Sequence, residues 1–147
     1  MPELPEVETV VRDLRAARLI GRRIVRARVF WNKTVAAPDP AKFARDIRSR
    51  KILALSRRGK FIAAALSGDR TLLVHLRMSG HVDLAPADSQ PRRHDRVVWT
   101  LDDGRHLRFE DTRKFGRVWL VDDPAQVLGE LGPEPLAISL TRFTAGL

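Results

Sequence analysis

Short apolar stretches separated by turn residues occupy the chain from residue 51 onward, and this pattern limits the fold more than any other feature. Asp102-Asp103-Gly104 is a strong hairpin signal, and Ser67-Gly68-Asp69 forms a second turn between two apolar stretches. Strands are predicted over residues 51–55, 60–66, 71–76, 80–84, 96–101, 106–109 and 117–121. Short strands with turns about every ten residues predict an α+β, mainly β fold, built on an antiparallel β-sandwich of two sheets.

A long helix is predicted in front of this sandwich. Apolar residues recur between residues 5 and 20 at the three-and-four spacing of an amphipathic helix, and Gly21 ends the pattern. The apolar positions are Val7, Val10, Val11, Leu14 and Ala17. Pro5 falls in the first turn, where its missing N–H costs no hydrogen bond. The helix therefore holds residues 2 and 3 at its amino end.

Two further elements connect this helix to the strands. Residues 24–31 alternate between apolar and basic side chains, as expected for a half-buried strand. The face predicted to be buried carries Val25, Ala27, Val29 and Trp31. Asp39 followed by Pro40 predicts the N-cap and first residue of a short helix, which would bury Phe43 and Ile47.

Composition excludes several classes of protein. No apolar run approaches the roughly 18 residues of a membrane-spanning helix, and the acidic amino terminus does not have the pattern of a signal peptide. We therefore expect a cytoplasmic, monomeric protein with no membrane partner. The sequence contains no cysteine, which excludes disulfides and thiolate metal sites, and its four histidines are scattered. We expect no metal or cofactor in this chain.

The charge distribution indicates a polyanionic partner. Lys and Arg number 27 against 18 Asp and Glu, a net charge of +9. Residues 12–33 hold eight basic residues and one acidic residue, and residues 48–60 hold six basic residues and no acidic one. Such a balance favours nucleic acid over an anionic membrane surface, although solvated basic faces are also common.

The amino terminus itself offers a nucleophile. Removal of Met1, which is usual before a small second residue, would leave Pro2 with a secondary amine. An α-amino group is less basic than a lysine side chain, so more of it is unprotonated at neutral pH. Attack of a secondary amine on an aldehyde-level carbon gives an iminium ion, which is an effective electron sink. Taken alone, these residues are better explained as an ordinary helix start.

Three downstream segments also carry chemistry. In Arg57-Arg58-Gly59-Lys60, a glycine turn among cations suits phosphate binding and a lysine that carries protons, although a basic hairpin would look the same. Met78 precedes Ser-Gly at a strand end, where it is either exposed or packed in the core. In the loop 111–116, Arg113 could contact base edges and Phe115 could act as a wedge between bases, or Phe115 could turn into the core.

Together these segments resemble the formamidopyrimidine-DNA glycosylases, a family of bacterial base-excision repair enzymes. The matching motifs occur in the order of that family. They are Pro2-Glu3-Leu4-Pro5-Glu6-Val7-Glu8-Thr9, Arg58-Gly59-Lys60, residues 75–80, His94-Asp95, residues 111–116 and residues 131–136.

The resemblance implies a catalytic role for four residues. Pro2 would attack C1′ of the damaged nucleotide, displace the base and form a Schiff base. Glu3 would protonate or stabilise the opening sugar, and Glu6 would support the site electrostatically. Lys60 would contact phosphate and donate the proton for β-elimination at the abasic site.

The resemblance also implies how double-stranded DNA containing oxidised bases or abasic sites is bound. Met78, Arg113 and Phe115 would fill the space left by a flipped nucleotide, with Arg113 facing the orphaned cytosine. His94 would contact the DNA backbone. The expected substrates are oxidised purines. An endonuclease VIII-like enzyme for oxidised pyrimidines and a non-catalytic DNA-binding module are the alternatives.

The length of the chain differs from that family. Its members have a second domain with a helix-two-turn-helix and a zinc finger with four cysteine ligands, for which this sequence has no counterpart. We therefore expect residues 1–136 to form the catalytic domain and residues 137–147 to begin a linker to a half that is absent here. Zinc is expected in that half, and little activity is expected from this chain alone.

Overall fold

Two β-sheets packed face to face form the body of the protein. The computed structural model describes residues 4–129, with side chains from residue 6. The helices are α1 (Leu4–Ala16), α2 (Pro40–Ile47) and α3 (Ala125–Leu128). The strands are β1 (Ile24–Val29), β2 (Val35–Ala37), β3 (Ile52–Arg58), β4 (Phe61–Leu66), β5 (Arg70–His75), β6 (Gly80–Ala85), β7 (Asp95–Leu101), β8 (His106–Asp111) and β9 (Arg117–Val121).

The strands form one four-stranded and one five-stranded sheet. Their orders are β1-β7-β8-β6 and β2-β9-β5-β4-β3. Neighbouring strands are antiparallel except for the short β2, which lies parallel to β9 and which the sequence pattern did not predict. The predicted class, a mainly β sandwich of two sheets with flanking helices, is confirmed.

The core lies between the sheets and is closed by two helices. α1 packs across β3, β4 and β6 and buries its predicted apolar stripe at Val7, Val11 and Leu14. α2 begins as predicted, because the Lys42 N–H donates to Oδ1 of Asp39 at 2.8 Å. Its buried residues, Phe43 and Ile47, are the two that its sequence pattern predicts.

Two local predictions were wrong. α1 ends at Ala16 rather than near residue 20, because Arg18 adopts a left-handed backbone (φ 62°) and turns the chain before Gly21. Val25 is 48% exposed rather than buried. A bulge explains its exposure: Ile24 pairs with Leu101 and Arg26 pairs with the next residue, Thr100, so Val25 is an extra residue on β1.

The pairing of the strands gives the sandwich two distinct ends. Phe61, His75 and Arg117 lie side by side across the five-stranded sheet, and Gly80 lies opposite Asp111 in the other sheet. We define the loop end by the turn at residues 59–60 and the connections 76–79 and 112–116, both of which cross from one sheet to the other. We define the far end by residues 17–23 and the turns at residues 67–69 and 102–105.

Candidate nucleic-acid interface

The buried carboxylate of Asp111 organises the loop end. Its Oδ2 accepts the Gly116 N–H at 2.6 Å, and its Oδ1 accepts the Arg113 N–H at 3.2 Å. The Ser79 hydroxyl donates to the same Oδ1. Because Ser79 and Arg113 belong to different connections, one carboxylate joins the two crossings between the sheets and sets the backbone of the loop that carries Arg113.

The connections 76–79 and 112–116 are closely packed on their inner side and expose Met78 and Phe115 to solvent. The Gly80 N–H donates to the Leu76 carbonyl at 2.8 Å, and a Cβ on Gly80 would lie 2.5 Å from that oxygen. The residues between them therefore form a tight loop. Met78 is 52% exposed on this loop, and Phe115 is 49% exposed on the neighbouring one.

Met78 and Phe115 border one shared pocket. Its other lining residues are Arg77 and Arg117, so two apolar side chains and two arginines line the same pocket. Core packing was the alternative for both apolar residues, and their exposure shows that it was wrong. Arg113 is also exposed, on the loop that Asp111 organises.

The turn that carries Lys60 lies beside these loops. Gly59 has φ 58°, a left-handed conformation that suits glycine and turns β3 into β4. The Lys60 side chain is exposed. The Arg57 Nε donates to Oε2 of Glu8 at 2.8 Å, which ties the strand entering the turn to the second turn of α1.

His75 lies at the end of β5, and its sequence motif indicated no role for it. Burial, with the neighbouring positive charges of Arg77 and Lys60, lowers the pKa of His75 from 6.5 to about 4. The imidazole is therefore neutral at pH 7. Its Nδ1 accepts the Arg77 N–H at 3.1 Å, so Nε2 carries the proton and is a donor beside Lys60. The signal that could have found it is a polar residue directly after the apolar run Leu72-Leu73-Val74.

Glu6 and His94 also belong to the loop end. Glu6 lines a pocket with Leu76, Gly80 and His81, which brings the first turns of α1 against the 76–80 connection. His94 precedes β7, its carbonyl accepts the Asp111 N–H at 3.0 Å, and its side chain is partly exposed. Pro2 and Glu3 lie outside the described residues.

Two other classes of site are absent from the part of the chain that the structure describes. Within residues 4–129 no group of three or more His, Asp or Glu side chains is close enough to hold a metal ion. No helix there is long and apolar enough to cross a lipid bilayer. The loop end is thus a basic surface with exposed apolar side chains, an arrangement suited to a nucleic acid, where cations contact phosphates and apolar groups contact bases.

Comparison with known proteins agrees with this class. Residues 1–118 match the family model of the formamidopyrimidine-DNA glycosylase N-terminal domain. The formamidopyrimidine-DNA glycosylase of Protochlamydia amoebophila is 45% identical over 141 residues, which are 96% of this chain and 51% of the relative. The formamidopyrimidine-DNA glycosylase of Chloroflexus aurantiacus is 47% identical over 146 residues, which again are 96% of this chain and 51% of the relative.

Solved structures give the same result. The Lactococcus lactis Fpg in complex with an abasic-site-containing DNA has a TM-score of 0.80 and 32% sequence identity, covering 88% of this chain and 47% of that one. The Lactococcus lactis protein in complex with a FAPY-dG-containing DNA has a TM-score of 0.81, covering 96% and 55%. The chain belongs to the formamidopyrimidine-DNA glycosylase family and corresponds to its N-terminal domain. It spans about half the length of the curated relatives it matches.

Proposed function

We propose that this chain is the catalytic N-terminal part of a bifunctional DNA glycosylase and abasic-site lyase that removes oxidised purines, such as 8-oxoguanine and formamidopyrimidines, from double-stranded DNA. The observation that carries the proposal is the convergence at the loop end of the start of α1, the Lys60 turn and the loops with Met78, Arg113 and Phe115. Membership of the family gives the chemistry that these groups would perform.

In this proposal Pro2 is the nucleophile. Its nitrogen forms a bond to C1′ of the damaged nucleotide, while the glycosidic bond breaks and the base leaves with the electron pair and a proton. Opening of the sugar, assisted by Glu3, gives an iminium ion between Pro2 and C1′. Loss of a C2′ proton then expels the 3′ phosphate. Support comes from α1, which begins at Leu4 at the loop end, since chain connectivity allows at most about 7 Å between the Cα atoms of Pro2 and Leu4.

Lys60 and Glu6 assist this chemistry in the proposal. Lys60 contacts a phosphate beside the reacting sugar and carries protons during elimination. Its exposure on a glycine turn, where the backbone can approach a phosphate closely, supports that role. Glu6 stabilises the cationic iminium electrostatically. Its position in the first turns of α1, against the 76–80 connection, supports that assignment.

The remaining assigned residues hold the distorted DNA. Flipping a nucleotide costs a few kcal/mol of stacking, which an apolar wedge and a hydrogen-bonding cation can partly offset. Met78 and Phe115 supply the wedge, and Arg113 bonds the orphaned cytosine. The exposure of all three on adjoining loops supports this assignment. His94 contacts the backbone of the duplex.

The rest of the relatives' length completes the enzyme in this proposal. The other half would supply the opposite wall of the DNA groove and would hold the zinc expected from the family, since this chain has no cysteine. We propose that the complete protein acts as a monomer on chromosomal DNA in the bacterial nucleoid. This chain by itself would bind duplex DNA weakly and cleave it poorly.

Borohydride trapping tests the proposal. The chain, with Met1 removal verified by intact mass, is incubated with duplex DNA containing an abasic site and reduced, which converts an iminium into a stable amine. Peptide mass spectrometry then identifies the linked residue. We expect an adduct on Pro2, its loss in Pro2→Gly, and no adduct in protein that retains Met1, because the amine is then part of an amide.

Two outcomes would contradict parts of the proposal. No adduct from protein with a verified Pro2 terminus would indicate a DNA-binding module without catalysis. Preferential trapping on oxidised pyrimidines over 8-oxoguanine opposite cytosine would indicate an endonuclease VIII-like specificity. Lys51→Gln is the matched control, because Lys51 is an exposed cation at the start of the Lys60-bearing hairpin, near the far end. This variant should trap as well as the unaltered chain.

A further inference from the structure

The segment that follows β1 reaches the loop end beside the loops already described. Val29, the last residue of β1, pairs with Val97, and the next N–H, of Phe30, donates to the Arg96 carbonyl at 2.8 Å. β7 begins at Asp95, directly after His94. Phe30 therefore lies at the loop end, as His94 does. The function proposed above assigns no role to residues 28–33.

A cation–π contact joins this segment to the loop that carries Arg113 and Phe115. Nζ of Lys114 lies 4.0 Å from the centroid of the Trp31 ring. Lys114 has a left-handed backbone (φ 62°), so the loop turns at this residue, between Arg113 and Phe115. The indole therefore contacts the loop at its turning point, and the segment and the loop form one continuous surface.

The side chains of this segment resemble those of the loop end in character. Phe30 is 46% exposed, and the guanidinium carbon of Arg28 lies 5.5 Å from its ring centroid. Lys33 is exposed three residues later. An exposed aromatic ring with cations beside it is a combination that binds nucleic acid, because the ring contacts bases or sugars and the cations contact phosphates.

We propose that residues 28–33 form a second DNA-contact strip, which holds duplex DNA flanking the flipped nucleotide. Phe30 would contact a base or sugar, and Lys33 would contact a phosphate. The Trp31–Lys114 contact would fix the position of this strip relative to the loop that carries Arg113 and Phe115. This inference rests on the proposed function, since it supposes that the loop end faces DNA.

Substitutions in the strip, compared with matched substitutions toward the far end, test the inference. Binding of the chain to a fluorescein-labelled duplex with a tetrahydrofuran abasic analogue is measured by anisotropy over a range of salt concentrations. Phe30→Ala should weaken binding about five- to tenfold. Lys33→Gln should reduce the slope of log K against log salt by about one, the loss of one phosphate contact. Val25→Ala and Lys51→Gln, with comparably exposed side chains toward the far end, should leave both quantities unchanged.

A shortened duplex separates the strip from the central site. When the flanking base pairs are removed, Phe30→Ala and the unaltered chain should bind with equal affinity. Equal binding of Phe30→Ala, Lys33→Gln and the unaltered chain to the long duplex would overturn the inference while leaving the proposed function intact. Absence of DNA binding by the unaltered chain would remove the proposed function, and the strip with it.

Discussion

The two ends of the sandwich are both rich in arginine but differ in the apolar side chains that lie among the arginines. At the far end the guanidinium groups bind the chain's own oxygens: Nη1 of Arg105 donates to the Ala17 carbonyl at 2.7 Å, and Arg22 lies 3.4 Å from Asp102. At the loop end Arg117 also binds such oxygens, because its Nη1 donates to the Lys114 and Gly116 carbonyls at 2.8 Å, but Arg77 and Arg117 share their pocket with the exposed side chains of Met78 and Phe115. Both ends contribute to the net positive charge, but the loop end exposes two large apolar side chains in its arginine-lined pocket, whereas the far-end pocket exposes one, Ile20, together with the carboxylate of Asp103.

This difference shows why charge along the sequence is a poor guide to the interface. The basic run at residues 48–60 is divided by β3. Arg48, Arg50 and Lys51 precede this strand, toward the far end, and Arg57, Arg58 and Lys60 lie where it ends, at the loop end. Arg50 donates to the Ser67 carbonyl at 2.9 Å, within the protein. The side chain of Arg50 therefore stabilises a turn at the far end and does not belong to the loop-end surface.

Replacing a carboxylate at each end should give the largest contrast. Asp111→Ala removes the acceptor of the Gly116 and Arg113 N–H groups from a fully buried position. We expect the free energy of unfolding to fall by about 2–4 kcal/mol, because buried donors lose a charged acceptor. Urea denaturation measures this change. Asp103→Ala at the far end, where a partly exposed carboxylate pairs with Arg105, should cost less than about 1 kcal/mol. Equal losses from the two substitutions would contradict the organising role of Asp111.

A methyl group added at each of two glycines tests the close packing of the loop end. A Cβ on Gly116 would meet the Phe109 ring and lie 3.0 Å from Oδ2 of Asp111 and 3.1 Å from the His75 carbonyl. Gly116→Ala should therefore destabilise the fold by about 1–3 kcal/mol in thermal or urea unfolding. Gly129→Ala, whose Cβ meets nothing within 4 Å, should have little effect. If Gly116→Ala left the free energy of unfolding unchanged, the residues around the added Cβ would have to shift at little cost.

Protonation of His75, at the loop end, should make the free energy of unfolding depend on pH. Its pKa is lowered to about 4 when folded, below the ordinary 6.5, so between these values the unfolded chain binds more protons. The free energy of unfolding should therefore fall as the pH drops from 6.5 towards 4, by at most about 1.4 kcal/mol per pH unit for this one group. Urea unfolding of His75→Asn across that range should lack this component; an identical pH profile would locate the protonation elsewhere.

The smallest effect on stability is expected at the exposed wedge. Met78→Ala and Phe115→Ala should change the free energy of unfolding by no more than about 0.5 kcal/mol, because both side chains are half exposed. DNA binding should nevertheless weaken by about tenfold, equivalent to about 1.4 kcal/mol. Ile20→Ala removes an exposed apolar side chain from the far end and should alter neither quantity. If Ile20→Ala weakened DNA binding as much as Met78→Ala does, DNA binding would not be specific to the loop end.

Local features were predictable because they depend on neighbouring residues alone. The amphipathic period of α1, the Asp39–Pro40 start of α2 and the turns at Ser67–Asp69 and Asp102–Gly104 each involve contacts within a few positions of sequence. The alternation of β1 failed for a non-local reason. Its bulge is defined by pairing with β7, some seventy residues away, and that pairing turns Val25 outward.

The sequence by itself determined the class of fold, the family resemblance and the types of residue available for chemistry, since periodicity, turn residues and motifs are written in consecutive positions. Only the tertiary structure decided which of those residues meet. Lys60, Met78 and Phe115 come from three separate connections, and strand pairing across β4, β5 and β9 brings those connections to one end. The physical reason is that sheet register is set by hydrogen bonds between distant segments, and one carboxylate, at Asp111, then joins the loops that the register has gathered.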